Sequence, residues 1–252
     1  MSTAAILTAA GSGTRLGLPG PKALVELAGV PLVLHAARAL ASSGVVARIV
    51  VTVPPRQLGG FRALLAGPVR PGLGVPVVVV EGGPSRQASV AAGLAALTAE
   101  TDVVLVHDAA RALASADLVR RIEAEVRSGH HAVVPGLQVV DTIKRVGPPG
   151  QATASGDAQP VLGTVARADL RVVQTPQGFD RALLDRAHAA GSHLCADEAL
   201  AATDDASLVE ALGEQVWVVP GEETAMKITT TRDLAVAELL ARADGTDGRV
   251  QR

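Results

Sequence analysis

Several things are scarce in this sequence, and each scarcity removes a class of function. Cysteine occurs once, at Cys195. An internal disulfide is therefore impossible, and the composition fits a reducing cytoplasm. Aromatic residues are limited to Phe61, Phe179 and Trp217. Without an aromatic platform for stacked bases, single-strand nucleic-acid binding is disfavoured. No charge sign dominates: 23 Lys+Arg against 25 Asp+Glu leave a net charge of −2. Neither a basic nucleic-acid binder nor a polybasic membrane protein has that balance. No apolar run reaches the roughly 18 residues of a membrane span; the strong ones, such as Val75–Val80, are strand-sized. The first ten residues lack a basic segment and lead straight into glycines, unlike a secretion signal. The six histidines show no zinc-ligand spacing, and a Gly-x-Ser-x-Gly nucleophile elbow is absent. Lysine is scarce as well: Lys22, Lys144 and Lys227 are three of 23 cationic residues. A lysine is a compact point charge that arginine does not replace equivalently, so these positions merit tracking.

What is present is a chain of 252 residues, 48% hydrophobic, enough for one substantial core. Short β-branched runs alternate with helical stretches. Strands are expected at Ala4–Thr8, Arg48–Val53, Val77–Val80, Val103–Val106 and Ala132–Val134. Helices are expected at Pro31–Ser43, Gln57–Ala66, Gln87–Ala99 and Asp117–Ser128, the first with Pro31 in its opening turn. The strands are continuous apolar runs rather than alternating ones, the mark of a parallel sheet covered on both faces. After Pro135 the rhythm breaks. Val139–Val146 and Val165–Gln174 read as two extended strands around the low-complexity segment Gly147–Gly163, a protruding arm without a core of its own. Helices follow at Asp180–Ala190, Ala206–Leu212 and Arg232–Ala243, with a strand at Gln215–Val219. The expected architecture is α/β, a single domain over residues 1–243 with a mostly parallel twisted sheet between helices. An arm at about 137–174 is inserted in it, and a polar tail spans 244–252.

The densest chemical signal is Thr8-Ala9-Ala10-Gly11-Ser12-Gly13-Thr14-Arg15-Leu16-Gly17, followed by Pro21-Lys22. A strand runs into a glycine loop whose successive N–H groups can form an anion nest, with two cations beside it. The group suits a triphosphate, although an ordinary strand-to-helix turn has the same outline. Walker A would need Lys22 followed by Ser or Thr, and the third glycine comes one residue late for a dinucleotide fingerprint.

With Pro21-Lys22 this loop resembles the signature of nucleotidyltransferases that couple a nucleoside triphosphate to a sugar or polyol phosphate. Glu81-Gly82-Gly83-Pro84-Ser85-Arg86-Gln87-Ala88-Ser89-Val90 and His107-Asp108-Ala109-Ala110-Arg111 resemble cytidylyltransferase segments. Asp141-Thr142-Ile143-Lys144, Thr164-Val165-Ala166-Arg167, Gln174-Thr175-Pro176-Gln177, Thr203-Asp204-Asp205-Ala206 and Met226-Lys227-Ile228-Thr229 follow in the same family order. The resemblance covers Ala4 to Leu240 and is nearest to the 2-C-methyl-D-erythritol 4-phosphate cytidylyltransferase family. Ala112 and Ala166 depart from it, standing where proline and an acidic residue are common.

The resemblance implies a Rossmann-like nucleotidyltransferase fold, CTP and a polyol phosphate as substrates, and pyrophosphate release. Methylerythritol phosphate is the expected acceptor; ribitol 5-phosphate or a non-catalytic CTP-binding regulator are the alternatives. It assigns CTP to Ala9, Ala10, Gly11, Ser12, Gly13, Arg15, Lys22, Gly82, Gly83, Ser89, Asp108, Ala109 and Lys227. Arg15, Lys22, Arg167 and Lys227 become catalytic, and Asp108 becomes a Mg²⁺ ligand. Arg111, Thr142, Arg167 and Thr175 become acceptor ligands. Arg167 would reach the partner's site in a homodimer joined through the arm. Read from the residues alone, Asp108 equally suits a helix cap, Lys227 an edge-strand charge and the arm a surface loop. His107 is expected to orient its loop structurally. No role is assigned to Lys144, and Cys195 with His193 is not read as a nucleophile pair.

Overall fold

The computed structural model describes residues 2–11, 13, 20–66, 73–148, 158–197 and 201–247. Its centre is β1, Ser2–Thr8, whose residues Thr3–Leu7 are all buried. A continuous apolar run can be buried that way only when both sheet faces are covered. A small hairpin, β2 (Glu26–Leu27) with β3 (Val30–Pro31), leads to α1, Leu32–Ser42. Pro31 therefore lies just before the helix and not in its first turn, because it is paired with Glu26. β4 (Val46–Val53), α2 (Leu58–Ala66), β5 (Val77–Glu81), α3 (Arg86–Ala95) and β6 (Thr101–Asp108) follow. β5, β4, β1 and β6 lie side by side and all parallel.

Beyond β6 come α4 (Ala116–Arg127), β7 (Ala132–Gln138), the hairpin β8 (Ile143–Val146) with β9 (Val161–Val165), and β10 (Arg171–Val173). β11 (Gln177–Asp180), α5 (Arg181–Ala190), α6 (Asp205–Ala211), β12 (Trp217–Pro220) and α7 (Thr231–Asp247) complete the order. β11 is inserted antiparallel between β6 and β7, and β12 runs parallel to β7.

β11 corrects the sequence expectation, which has no strand there and starts a helix at Asp180. Gln177-Gly178-Phe179-Asp180 offers one strong strand former, and glycine disfavours strands. Tertiary packing supplies the reason for the glycine. A Cβ at Gly178 would lie 2.5 Å from Ile122 Cγ2, so α4 can rest on β11 only if that position is bare. Asp180 is the cap of α5, accepting a hydrogen bond from Leu183 N at 3.0 Å. The arm is also narrower than expected. Leu137, Gln138 and Arg171–Val173 pair with one another in the main sheet, and a 3₁₀ turn at Arg167–Asp169 interrupts the expected long return strand.

Helices α1, α2 and α4 cover one sheet face through Leu40, Phe61, Leu118 and Ile122. α3, α5 and α6 cover the other, with Ile6, Val104, Phe179, Leu184 and Val209 between. The chain steps from β1 outward to β4 and β5, then α3 carries it back across to β6. That reversal lies between β1 and β6, and in open parallel sheets ligands bind beyond the carboxyl ends of the strands at such a point.

Candidate active site

Thr8 and Asp108 end β1 and β6 in direct register. Above them opens a cleft of about 590 Å³. Its floor continues from β1 as Ala9-Ala10-Gly11, held by Ala9 N donating to Thr52 O at 2.8 Å. Gly13 adopts φ +72°, a left-handed conformation glycine takes without strain, and packs on the Lys22 stem. Lys22 N donates to Gly11 O at 3.2 Å, which folds the lysine back beside the loop. Ser12 and Arg15 lie outside the described residues.

A second wall is the start of α3. Ser85 caps that helix by accepting from Ala88 N at 3.0 Å. Ser89, one turn on, has its hydroxyl 3.2 Å from Gly83 N and donates to Ser85 O at 2.9 Å. Both glycines here are required by space: a Cβ at Gly82 would lie 2.7 Å from Ser89 Oγ, and one at Gly83 2.4 Å from Ala88 Cβ. Gly83 and Ser89 line the cleft, with Gly82 packed just behind them.

Asp108 is the one carboxylate lining the cleft among the described residues, and it is 6% exposed. Oδ1 accepts from Arg86 Nε at 3.1 Å and Thr8 Oγ1 at 3.2 Å. Oδ2 lies 2.8 Å from Lys227 Nζ. Burial alone would raise its pKa, but the Arg86 and Lys227 cations outweigh burial and hold the carboxyl well below the usual range. It is a permanent anion. One carboxylate plus substrate phosphate oxygens is a donor set that Mg²⁺ accepts. Among the described residues no cluster of three or more His, Cys, Asp or Glu could cage a metal without substrate.

Lys227 reaches the cleft from Met226–Thr229, expected as a short strand. The segment is instead irregular, and it is pinned by Ile228 N donating to Ala110 O at 2.9 Å. Arg111 adds to this anchorage. Its guanidinium donates to Ala225 O at 2.8 Å and Val173 O at 3.2 Å, while its Nε is buried without a partner among the described residues. Arg111 thus supports the backbone that carries Lys227 and does not itself line the cleft. Thr175 is 4% exposed and sits beneath Asp108: its Oγ accepts from Asp108 N at 3.0 Å and bonds His107 Nδ1 at 3.0 Å. Thr142 and Arg167 are exposed on the arm and line no part of the cleft in their own chain. Arg167 donates to Val140 O.

Arg86, to which its motif assigns no role, lines the cleft beside Asp108. Thr203, Ala201 and Ala202 line it too, held by Ala202 N donating to Gln87 Oε1 at 3.0 Å. Gln87 and Ala202 are 115 positions apart, so no local signal in the sequence could have joined them.

His107, 1% exposed, carries a prediction. Burial, with help from the Arg111 cation and against the pull of Asp108, lowers its pKa to about 4. An unfolded imidazole takes a proton below about pH 6.5. Between those values the unfolded chain binds the extra proton, so stability is complete above about pH 6.5 and falls toward pH 4. Unfolding free energies from urea titrations should therefore drop between pH 7.5 and 5, by up to about 1.4 kcal/mol per pH unit from this residue. His107→Asn should flatten that slope, and an equal slope in both proteins would exclude His107 as its source.

Comparison with known proteins agrees with this geometry. The family model described as 2-C-methyl-D-erythritol 4-phosphate cytidylyltransferase matches residues 3–243. The Streptomyces coelicolor protein of that name is 49% identical over 247 residues, 98% of this chain and 87% of the relative. The Rhodococcus opacus protein is 47% identical, covering 94% of this chain and 93% of its own length. The crystal structure of the Thermus thermophilus enzyme superposes with a TM-score of 0.71 at 38% identity, covering 96% of this chain and all of that one. The strand-end cleft and the full-length match to relatives lead to one assignment: the chain belongs to the 2-C-methyl-D-erythritol 4-phosphate cytidylyltransferase family.

Proposed function

We propose that the protein joins CTP to 2-C-methyl-D-erythritol 4-phosphate, giving 4-diphosphocytidyl-2-C-methyl-D-erythritol and pyrophosphate, in non-mevalonate isoprenoid precursor synthesis. The observation that carries this reading is the single cleft where a glycine loop, Lys22, Lys227 and an ionised Asp108 meet. An acceptor phosphate oxygen attacks the α-phosphorus of CTP in line, and the bond to the bridging oxygen of the leaving pyrophosphate breaks. The nucleophile is already an oxyanion, so no general base is needed. Positioning and charge stabilisation do the work. Lys22 and Lys227, which both line the cleft, supply positive charge, and Arg15 is assigned to the same task. The backbone of Gly11 and Gly13 takes the phosphates. Gly83, Ala109 and Ser89 form a close wall for cytosine and ribose, with Gly82 backing it. Asp108 would hold Mg²⁺, which when bound neutralises phosphate charge. Arg111 and Thr175 serve the acceptor from behind, by fixing the Lys227 segment and Asp108, while Thr142 and Arg167 serve it from the arm.

The arm exposes Val140, Ile143, Val146, Val161 and Leu162, an apolar surface suited to a second copy of the chain. We infer a homodimer joined there. No helix of the described residues is long and apolar enough to cross a membrane, and the single cysteine supports a cytoplasmic setting.

Pyrophosphate release with CTP and Mg²⁺ tests the assignment, comparing methylerythritol 4-phosphate, ribitol 5-phosphate and no acceptor. Release dependent on methylerythritol phosphate is expected. Preference for ribitol phosphate would keep the nucleotide site and change the acceptor. CTP binding without release from either acceptor would favour the regulator.

A further inference from the structure

Charged groups continue behind the cleft, past anything the substrates could touch. Arg86 donates from Nε to Asp108 and from Nη1 to Asp205 Oδ2 at 2.7 Å. Asp205 Oδ1 lies 2.9 Å from His188 Nε2. Asp205 is 1% exposed and neither it nor His188 lines the cleft. A carboxylate buried so completely persists only when paired and hydrogen-bonded.

Arg86 spans the two carboxylates, while its Nη2 is buried and makes no hydrogen bond among the described residues. A guanidinium has a rigid fork, and fixing it at two points fixes its plane. Asp205 can act as that second point because it is buried and bonded on both oxygens. It opens α6 directly after the cap Asp204, whose carboxylate holds Ser207 N at 3.1 Å and Gln177 Nε2 at 2.8 Å. His188, on α5, braces it from the other side.

We propose that Asp205 is a positioning residue for the reaction, acting through Arg86 to hold Asp108 in one orientation. Oδ1 then stays turned to Arg86 and Thr8, and Oδ2 stays turned to Lys227. The inference rests on the reading of Asp108 as a carboxylate the reaction uses.

Asp205→Asn keeps the volume and removes the charge. Displacement of reacting groups by an ångström costs up to about 10²-fold in rate, so kcat should fall by roughly 10- to 100-fold. The KM for CTP should change little, because the wall around Gly83 and Ser89 is untouched. In an Asp108→Asn background the same substitution should cost nothing further, since its only target is gone. Asp205→Glu should recover part of the loss. Arg86→Lys, which keeps the charge but cannot span both carboxylates, should reproduce it, and it serves should Asp205→Asn fail to fold. Unchanged kcat in folded Asp205→Asn, or losses that multiply with Asp108→Asn, would overturn the relay. Normal turnover by Asp108→Asn alone would overturn the reading of Asp108 beneath it.

Discussion

Lys22→Ala should lower kcat for pyrophosphate release by about 10²- to 10³-fold, the usual loss when one preorganised charge-stabilising donor is removed. Stability should barely change. The turn around Lys22 is held by its backbone: Lys22 N to Gly11 O at 3.2 Å, Leu24 N to Pro21 O at 3.0 Å, and Val25 N to Lys22 O at 3.1 Å. The Lys22 atoms facing Gly13 are its Cβ, Cα and N, all of which alanine retains. The substitution therefore removes the ammonium and leaves the loop. Lys22→Arg should recover only part of the rate. A planar fork on a longer stem does not reproduce a compact point charge, and the leaving pyrophosphate needs the charge at one position. Steady-state rates beside thermal midpoints separate the two effects. Wild-type turnover in a folded Lys22→Ala protein would remove Lys22 from the chemistry.

The parallel core was legible because its signals are local. β1, β4 and β6 each carry an apolar run, at Ala4–Leu7, Ile49–Val51 and Val103–Val106. The glycine loop was legible for the same reason: a turn beside two cations is written in consecutive residues. β11 was hidden because what makes it a strand is the pair of neighbours it joins, with Phe179 buried among residues far away in sequence. Asp205 shows the other limit. Thr203-Asp204-Asp205 announces a helix cap, and Asp204 is that cap. Nothing in the string says that its neighbour is buried against an arginine 119 positions away. Arg111 and Thr175 lie in the motifs that the family resemblance picked out. Their geometry, though, is one of support: backbone carbonyls for one, Asp108 N and His107 for the other. A motif marks which residues matter together but does not say which of them meets the ligand.

Mixing two inactive proteins should restore activity. Arg167 follows β9 in a 3₁₀ turn on the exposed arm and does not line this cleft in its own chain. If its guanidinium holds the acceptor phosphate, it must do so in another copy, and each site combines one chain's cleft with its partner's arm. Lys22→Ala then damages the site in its own chain, whereas Arg167→Ala damages the site opposite. In a mixed dimer both defects fall on one site, and the other is intact. Random pairing of equal amounts makes half the dimers mixed, each with one good site of two, so about a quarter of wild-type activity should return. Each variant alone should stay about 10²-fold down. Co-expression with two different tags and isolation of the doubly tagged species removes any doubt about subunit exchange. That species should run at about half the wild-type rate per dimer. A doubly tagged dimer as inactive as its parents would mean that Arg167 acts within its own chain or not at all, and the shared site would have to be abandoned.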